Sequence, residues 1–249
     1  MTPKMPIAVL ISGSGRTLKN IMDHIDAGKL DVEIKLVIAS TPNASGLQYA
    51  EKANIPISIL ESADCEGDTK EERIANLSDK IFNLCRQLEV DYVVYAGYVS
   101  TLRIPEDFEN RVLNIHPSLL PAFSGRGFYG RSVHEAALSR GVKKSGCTVH
   151  FVTDVAEDEQ IGVHVEDEVF PVAGPIIRQI VVPVEEDDVV DTLSDRVLYD
   201  AEFVAYPEAL QLLAEKRIVV ETVEDGDATR QVVRILPPKE SCINSNART

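Results

Sequence analysis

Ile7-Ala8-Val9-Leu10-Ile11-Ser12-Gly13-Ser14-Gly15-Arg16-Thr17 is the stretch from which the fold can be read. Five apolar residues form a run of strand length, a glycine-rich loop follows, and Leu18 to Ile25 carries apolar residues at helical spacing. A strand, a tight turn and a helix in that order open an α/β unit. The same alternation continues downstream. Ile34 to Ala39 reads as a strand, Ser45 to Asn54 as a helix and Ile55 to Leu60 as a third strand. Ile74, Leu77, Ile81, Leu84 and Leu88 place one apolar stripe on a helix from about Lys70 to Leu88. Asp91 to Ala96 and Val112 to His116 are the fourth and fifth strands.

The expected fold is therefore α/β, a doubly wound, mostly parallel, Rossmann-like sheet. Right-handed crossovers would bring Ser12, Gly97 and His116, each at the end of a strand, to one edge, where such sheets bind ligands. Beyond it, His134 to Leu138 reads as helix, Gly146 to Thr153 and Ile176 to Val184 as strands, and Thr192 to Leu213 as a helix. Ile218 to Thr222 and Gln231 to Leu236 would pair as a small C-terminal hairpin around Glu224-Asp225-Gly226-Asp227. We expect one domain over 1–236 and a polar, disordered tail over 237–249.

The first loop does not fit a dinucleotide. A third glycine would be wanted at residue 18, which is Leu18, and an acid at the end of the second strand, where Ala39-Ser40 stand. It fits a monophosphate better: free backbone N–H groups at a helix N-terminus, with Arg16 and Thr17 adding a cation and a hydroxyl. A side chain at Gly15 is expected to block approach of the phosphate to the backbone.

At 249 residues with 44% hydrophobic residues the chain can bury one sizeable core. A formal charge of −15 argues against a nucleic-acid partner, whose phosphates need a basic face. No apolar run reaches membrane-spanning length, and the N-terminal residues lead into a strand rather than a signal-peptide core. Cys65, Cys85, Cys147 and Cys242 lack any paired or metal-ligand spacing, so no metal is called for and a reduced, cytoplasmic location is expected.

Leu113-Asn114-Ile115-His116-Pro117-Ser118-Leu119-Leu120-Pro121 carries the chemistry. Asn114 and His116 lie two apart on a strand and face the same way. Together they offer an amide donor and a group that exchanges a proton near neutrality, the two parts needed at an acyl-transfer oxyanion. His150 reads as a packed core residue and His134 as structural or supporting, while His24 and His164 read as surface residues.

The Asn114–Pro121 run resembles the signature of the formyltransferases that use 10-formyltetrahydrofolate. A closer resemblance, over roughly residues 5 to 221, is to the phosphoribosylglycinamide formyltransferases. It is carried by Val9 to Gly15, Tyr95-Ala96-Gly97-Tyr98, Leu113 to Pro121, His134-Glu135-Ala136, Gly146 to Val152, Gly174-Pro175-Ile176-Ile177, Glu202 and Tyr206-Pro207. The resemblance implies formyl transfer from 10-formyltetrahydrofolate, a co-substrate, to the amine of glycinamide ribonucleotide. It implies that Gly15, Arg16 and Thr17 hold the substrate phosphate and Glu202 its ribose. It implies that Val99, Ser100, Thr101 and Leu102 line the folate pocket, with Lys70 as a basic folate contact. Members often carry Met-Arg where Val99-Ser100 stand, so one pocket cation is missing.

In the family an Asp seven residues beyond the second His, two before Gly-Pro, supports the catalytic His. Counting from His150 reaches Glu157, and counting back from Gly174-Pro175 reaches Val172. An acidic insertion over about 155–172 separates the two counts. Glu157 is the first candidate for the third catalytic residue, with Asp158, Asp167 and Asp154 as alternatives. A long loop holds such a group less firmly, so turnover is expected to be reduced. Two other readings stay open: a formyltetrahydrofolate hydrolase-like enzyme, and a catalytically impaired folate- or nucleotide-binding relative. A tRNA formyltransferase is disfavoured by the acidic charge and the lack of a nucleic-acid-binding domain, and a hydrolase by the lack of an N-terminal regulatory domain.

Overall fold

The computed structural model describes residues 3–125, 127–153, 172–226 and 228–238. The strands are β1 (Met5–Ile11), β2 (Val32–Ala39), β3 (Ile57–Ile59), β4 (Tyr92–Tyr95), β5 (Val112–His116), β6 (Lys144–Thr153) and β7 (Val172–Pro183). They form one sheet in the order β3-β2-β1-β4-β5-β6-β7. The five strands from β3 to β5 are parallel and β6 runs against them. The helices are α1 (Arg16–Asp26), α2 (Leu47–Lys52), α3 (Lys70–Gln87), α4 (Arg131–Ser139), α5 (Val190–Val197) and α6 (Phe203–Ala214). A separate antiparallel hairpin, β8 (Ile218–Asp225) and β9 (Ala228–Ile235), turns at Gly226. The expected doubly wound sheet and C-terminal hairpin are both present.

Helices cover both faces of the sheet, which is why β1 reads as an unbroken apolar run. Its residues alternate: Ile7, Val9 and Ile11 pack with α1, α5 and α6, while Ala8 and Leu10 pack with α3 on the other face. Leu77, Ile81 and Phe82 of α3 fill that second core beside Tyr95 and Phe108. A capping box fixes where α3 begins, with the Thr69 hydroxyl accepting from the Glu72 amide and the Glu72 carboxylate accepting from the Thr69 amide.

The expected helix over Thr192 to Leu213 is divided. Between α5 and α6 the chain widens into one π turn, Leu198–Glu202. Pro207 lies inside α6 and has no N–H for the carbonyl four residues back, that of Phe203. The Asn20 amide of α1 supplies the missing donor, at 3.0 Å from the Phe203 oxygen. One turn further on, Tyr206 is fully buried, and its hydroxyl donates to the Tyr95 and Leu113 carbonyls at 2.8 and 3.1 Å. The β4–β5 ladder ends at Leu113, so this hydroxyl holds together two strands at the point where they part.

Cys65, Cys85 and Cys147 are buried free thiols, and burial pushes Cys85 and Cys147 up to about 12, keeping both protonated. Cys242 and His164 lie outside the described residues, as do 239–249 of the expected tail. Of the expected insertion, 155–171 also lies outside them, while Val172 belongs to β7. Among the described residues no helix is long and apolar enough to cross a membrane.

Asn20→Leu should cost about 1–3 kcal/mol, because it leaves the Phe203 carbonyl without a donor inside the α1–α6 contact. Urea unfolding of the two proteins measures this. A loss below about 0.5 kcal/mol, the range of a surface substitution, would show that the bond is dispensable.

Candidate active site

The sheet turns from leftward to rightward winding between β1 and β4, so a crevice opens beyond their C-terminal ends. The Ser12 loop forms one wall. Gly15 sits at the N-cap of α1 with φ 68°, and no side chain caps the helix. The first-turn amides are thus left for a ligand or for solvent, and the helix dipole favours an anion there.

The two loop glycines serve different ends. A Cβ at Gly15 would lie 2.6 Å from the Gly46 Cα, and the Gly46 amide donates to the Gly13 oxygen at 3.0 Å. Gly15 is therefore required by the packing of one loop on another and by its left-handed backbone. Gly13 has no such constraint. Its φ lies outside the left-handed region, and a Cβ there would meet nothing within 4 Å. The space beside Gly13 remains free for a ligand.

Arg16 is exposed at the same helix start, 3.8 Å from Asp195 of α5. Thr17 is buried beside it. Glu202 ends the π turn facing this corner. Burial pushes its carboxyl up to about 7, and the Arg16 guanidinium opposes that rise. Arg16 and Thr17 are thus brought together with Glu202, although about 185 residues separate them.

The opposite wall carries Asn114 and His116, both half-buried near the end of β5. Antiparallel pairing sets Asn114 opposite His150 and His116 opposite Thr148. His150 is not merely core packing. Its Nδ1–H donates to the Phe151 oxygen at 2.7 Å, so its Nε2 is an acceptor, and the Asn114 Nδ2 approaches it at 3.4 Å. That contact turns the Asn114 amide so that one N–H is held and the second is left for a ligand. Burial pushes His150 down to about 4, which keeps it neutral.

The His116 Nε2–H donates to the Phe123 oxygen at 2.8 Å. Its Nδ1 is therefore the free nitrogen and, in the neutral ring, a proton acceptor. Burial holds its pKa below the usual 6.5, with the Phe123 carbonyl opposing. His134 of α4 is buried alongside, lowered by burial and by His116, and its Nδ1 has no partner among the described residues. His134 and His150 thus both lie within electrostatic reach of His116, a grouping that their spacing in the sequence does not announce.

The loop after His116 is pinned by Thr148, fully buried. The Thr148 hydroxyl donates to the Ser118 oxygen and accepts from the Leu120 amide and the Gln179 side chain. Sequence reasoning did not single out Thr148 or Gln179; only the β6 and β7 registers bring them here.

Between the walls lies the segment that follows β4. Val99 is 67% exposed, Ser100 and Thr101 are half-buried, and Leu102 is packed into the α3 core. Lys70 opens α3. Asp154, Glu157, Asp158 and Asp167 lie outside the described residues. Among the described residues no carboxylate figures among the groups that shift His116.

Gly13→Ala should leave the melting temperature within about 1 °C of the parent while weakening binding of a phosphate-bearing ligand. Gly15→Ala should lower the melting temperature by several degrees, since it adds strain and a collision. Calorimetric melting with and without inorganic phosphate separates the two. A destabilised Gly13→Ala would mean that the chain itself uses that space.

The formyl transferase family model matches residues 5–210. The chain is 34% identical over 215 residues to the chloroplastic phosphoribosylglycinamide formyltransferase of Vigna unguiculata, covering 86% of this chain and 62% of that one. It is 36% identical over 213 residues to the human trifunctional purine biosynthetic protein adenosine-3, covering 85% of this chain and 18% of that one. This chain therefore spans about three fifths of the plant relative and under a fifth of the human one. The crystal structure of glycinamide ribonucleotide transformylase 1 from Symbiobacterium toebii superimposes with a TM-score of 0.74 at 36% identity, covering 95% and 96% of the two chains. By the match along most of its length and by the site that match encloses, the chain belongs to the formyl transferase family.

Proposed function

We propose that this chain transfers a formyl group from 10-formyltetrahydrofolate to the amine of glycinamide ribonucleotide, in purine biosynthesis. The observation that carries the reading is the pairing of an uncapped helix N-terminus at Gly15-Arg16-Thr17 with Asn114 and His116 across one crevice. A phosphate-bearing acceptor and a formyl donor would meet between them. The structural neighbours of matching length, named for this reaction, support the same choice. The hydrolase-like and impaired-binding alternatives gain no specific observation. A cytoplasmic location is part of the proposal, although the cowpea relative is named chloroplastic.

The helix N-terminus would bind the phosphate, and Glu202, with Arg16 beside it, would accept from the ribose hydroxyls. Val99, Ser100 and Thr101 would border the folate, with Lys70 and Leu102 at the margins of that wall. The free N–H of Asn114 would donate to the formyl oxygen as it gains charge. His116 Nδ1, neutral at pH 7, would take the proton released by the attacking amine and return it to the departing N10 of the folate. Proton number is conserved, and His116 ends as it began. Glu157, or else Asp158, Asp167 or Asp154, remains the proposed support for the His116 cation once it forms, with reduced turnover as the corollary of its displacement.

Asn114→Ala and His116→Ala should each lower kcat on the order of 100-fold or more while leaving the fold intact. Steady-state kinetics and far-UV dichroism together test this, and a near-parental rate in either variant would remove that residue from the mechanism.

The proton step also fixes a sign. The neutral ring is the base, and burial favours the neutral ring, so kcat/KM for the folate at saturating ribonucleotide should rise with pH through a value below 6.5 and be level at pH 7. A limb above 7 would show instead that a carboxylate charges His116. Single Asn or Gln replacements of the four candidates would then identify it.

A further inference from the structure

The Ser12 side chain ties the loop after β1 to the segment after β4, and no role in the reaction described above uses it. Ser12 is the first residue after β1 and opens the loop that ends at the α1 N-cap. Its amide donates to the Gly97 oxygen at 3.2 Å, and its hydroxyl oxygen accepts from the Val99 amide at 3.0 Å. The Ser40 hydroxyl, from the end of β2, donates to the same oxygen at 2.7 Å. A serine oxygen has two lone pairs, and here both are occupied, one by each neighbour. The rotor is thereby fixed, and Val99 is fixed to it.

The segment that begins at Val99 is tied at its other end as well. The buried Ser78 hydroxyl of α3 accepts from the Arg103 amide at 2.8 Å and donates to the Ile74 oxygen. Residues 99–102 therefore span between two serine hydroxyls, one in the phosphate loop and one in the α3 core. Only the first lies at the strand-order reversal between β1 and β4, where the two pockets adjoin. A displacement of the phosphate loop moves the Ser12 oxygen and with it the anchor of Val99. A displacement of α3 moves only the far end.

We propose that the Ser12 hydroxyl, held by Ser40, is a positioning group that couples the two substrate pockets, so that ribonucleotide bound at Gly13 to Thr17 tightens the binding of folate along 99–102. The inference rests on the functional reading above. Coupling of this kind is a free energy shared by two sites and must appear as a change in one ligand's affinity when the other is present. The seam has the properties this requires: short contacts, few rotors, and one residue that belongs to the loop and holds the segment.

Glycinamide ribonucleotide and tetrahydrofolate, a substrate and a product, cannot react together, so their joint binding is measurable at equilibrium. Titration calorimetry of tetrahydrofolate, with and without saturating ribonucleotide, should show about fivefold tightening or more in the parent chain. Ser12→Ala should bind ribonucleotide alone within about threefold of the parent, yet show less than about twofold tightening. Ser12→Thr, which keeps a hydroxyl, should restore the effect. Ser78→Ala should weaken folate alone while keeping the parental tightening, a split that general loosening of the segment would not produce. Should Ser12→Ala fail to fold, Ser40→Ala carries the test and should at least halve the tightening. The inference is overturned by a parent that binds both ligands independently, by full coupling in Ser12→Ala or Ser40→Ala, or by equal loss in Ser78→Ala. A parent that binds neither ligand would overturn the functional reading itself.

Discussion

A parallel sheet covered by helices on both faces has nowhere to place its chemistry except at the strand ends. Every residue of β1 after Pro6 is buried, half toward α1, α5 and α6 and half toward α3. A polar group within that run would have to find a partner in an apolar layer or forfeit a hydrogen bond. The hydrophilic residues accordingly start at Ser12, where β1 leaves the sheet. The same rule puts Gly97 after β4 and Asn114 and His116 at the end of β5. Winding order then decides which strand ends adjoin, and the reversal between β1 and β4 opens the crevice.

A crevice between parting strands has to be held open at a fixed width, and three polar contacts at its base do this. Tyr206 spans the β4 and β5 carbonyls from below. Asn20 fills the vacancy that Pro207 leaves in α6, which ties α1 to the helix that directly follows Glu202. Thr148 fixes the loop after His116. Each replaces a missing backbone partner with a side chain, so each is satisfied and also specific to one geometry. The π turn follows the same logic. It shifts the helical phase before α6, and Glu202 ends it beside Arg16. Wide turns of this kind recur at functional sites because they re-aim one side chain without breaking the rod.

The sheet, its helices and the position of the crevice could be read from local pattern, because apolar run length and glycine placement are local properties. Strand limits differed by up to four residues, as at the start of β7, and by two where the flanking polar residues Lys144 and Ser145 join the ladder at β6. What stayed hidden was set by register. His150 and Asn114 share a pair because β6 runs back along β5, and no spacing in the chain reports that turn. The packing constraint on Gly15 was hidden for a similar reason. Its neighbour is Gly46, thirty-one residues on, and only the packing of two loops reveals which glycine the fold requires and which it leaves for a ligand. The division of the last helix is decided by Pro207 together with a partner from α1, a long-range event invisible in the helical pattern alone.

The histidine cluster bears on the order of proton transfer. Burial disfavours the charged form of each ring, and His116 further lowers both His134 and His150. One added proton would therefore be concentrated on the ring that can best bear it. His116 is that ring: its Nε2–H already donates to the Phe123 carbonyl, which favours the cation, whereas His134 Nδ1 has no acceptor beside it. His150 does donate to a carbonyl but is the more deeply desolvated, so its neutral Nε2 stays an acceptor for Asn114. A neutral resting His116 is well suited to receive a proton while an amine attacks, and poorly suited to donate one beforehand. In the proposed reaction, proton uptake by His116 would accompany or follow formation of the new C–N bond, and the proton would reach the leaving nitrogen only afterwards. The same burial that lowers the basicity of the ring would make the cation formed in that step a better proton donor than a free imidazolium, which would favour return of the proton to the leaving nitrogen.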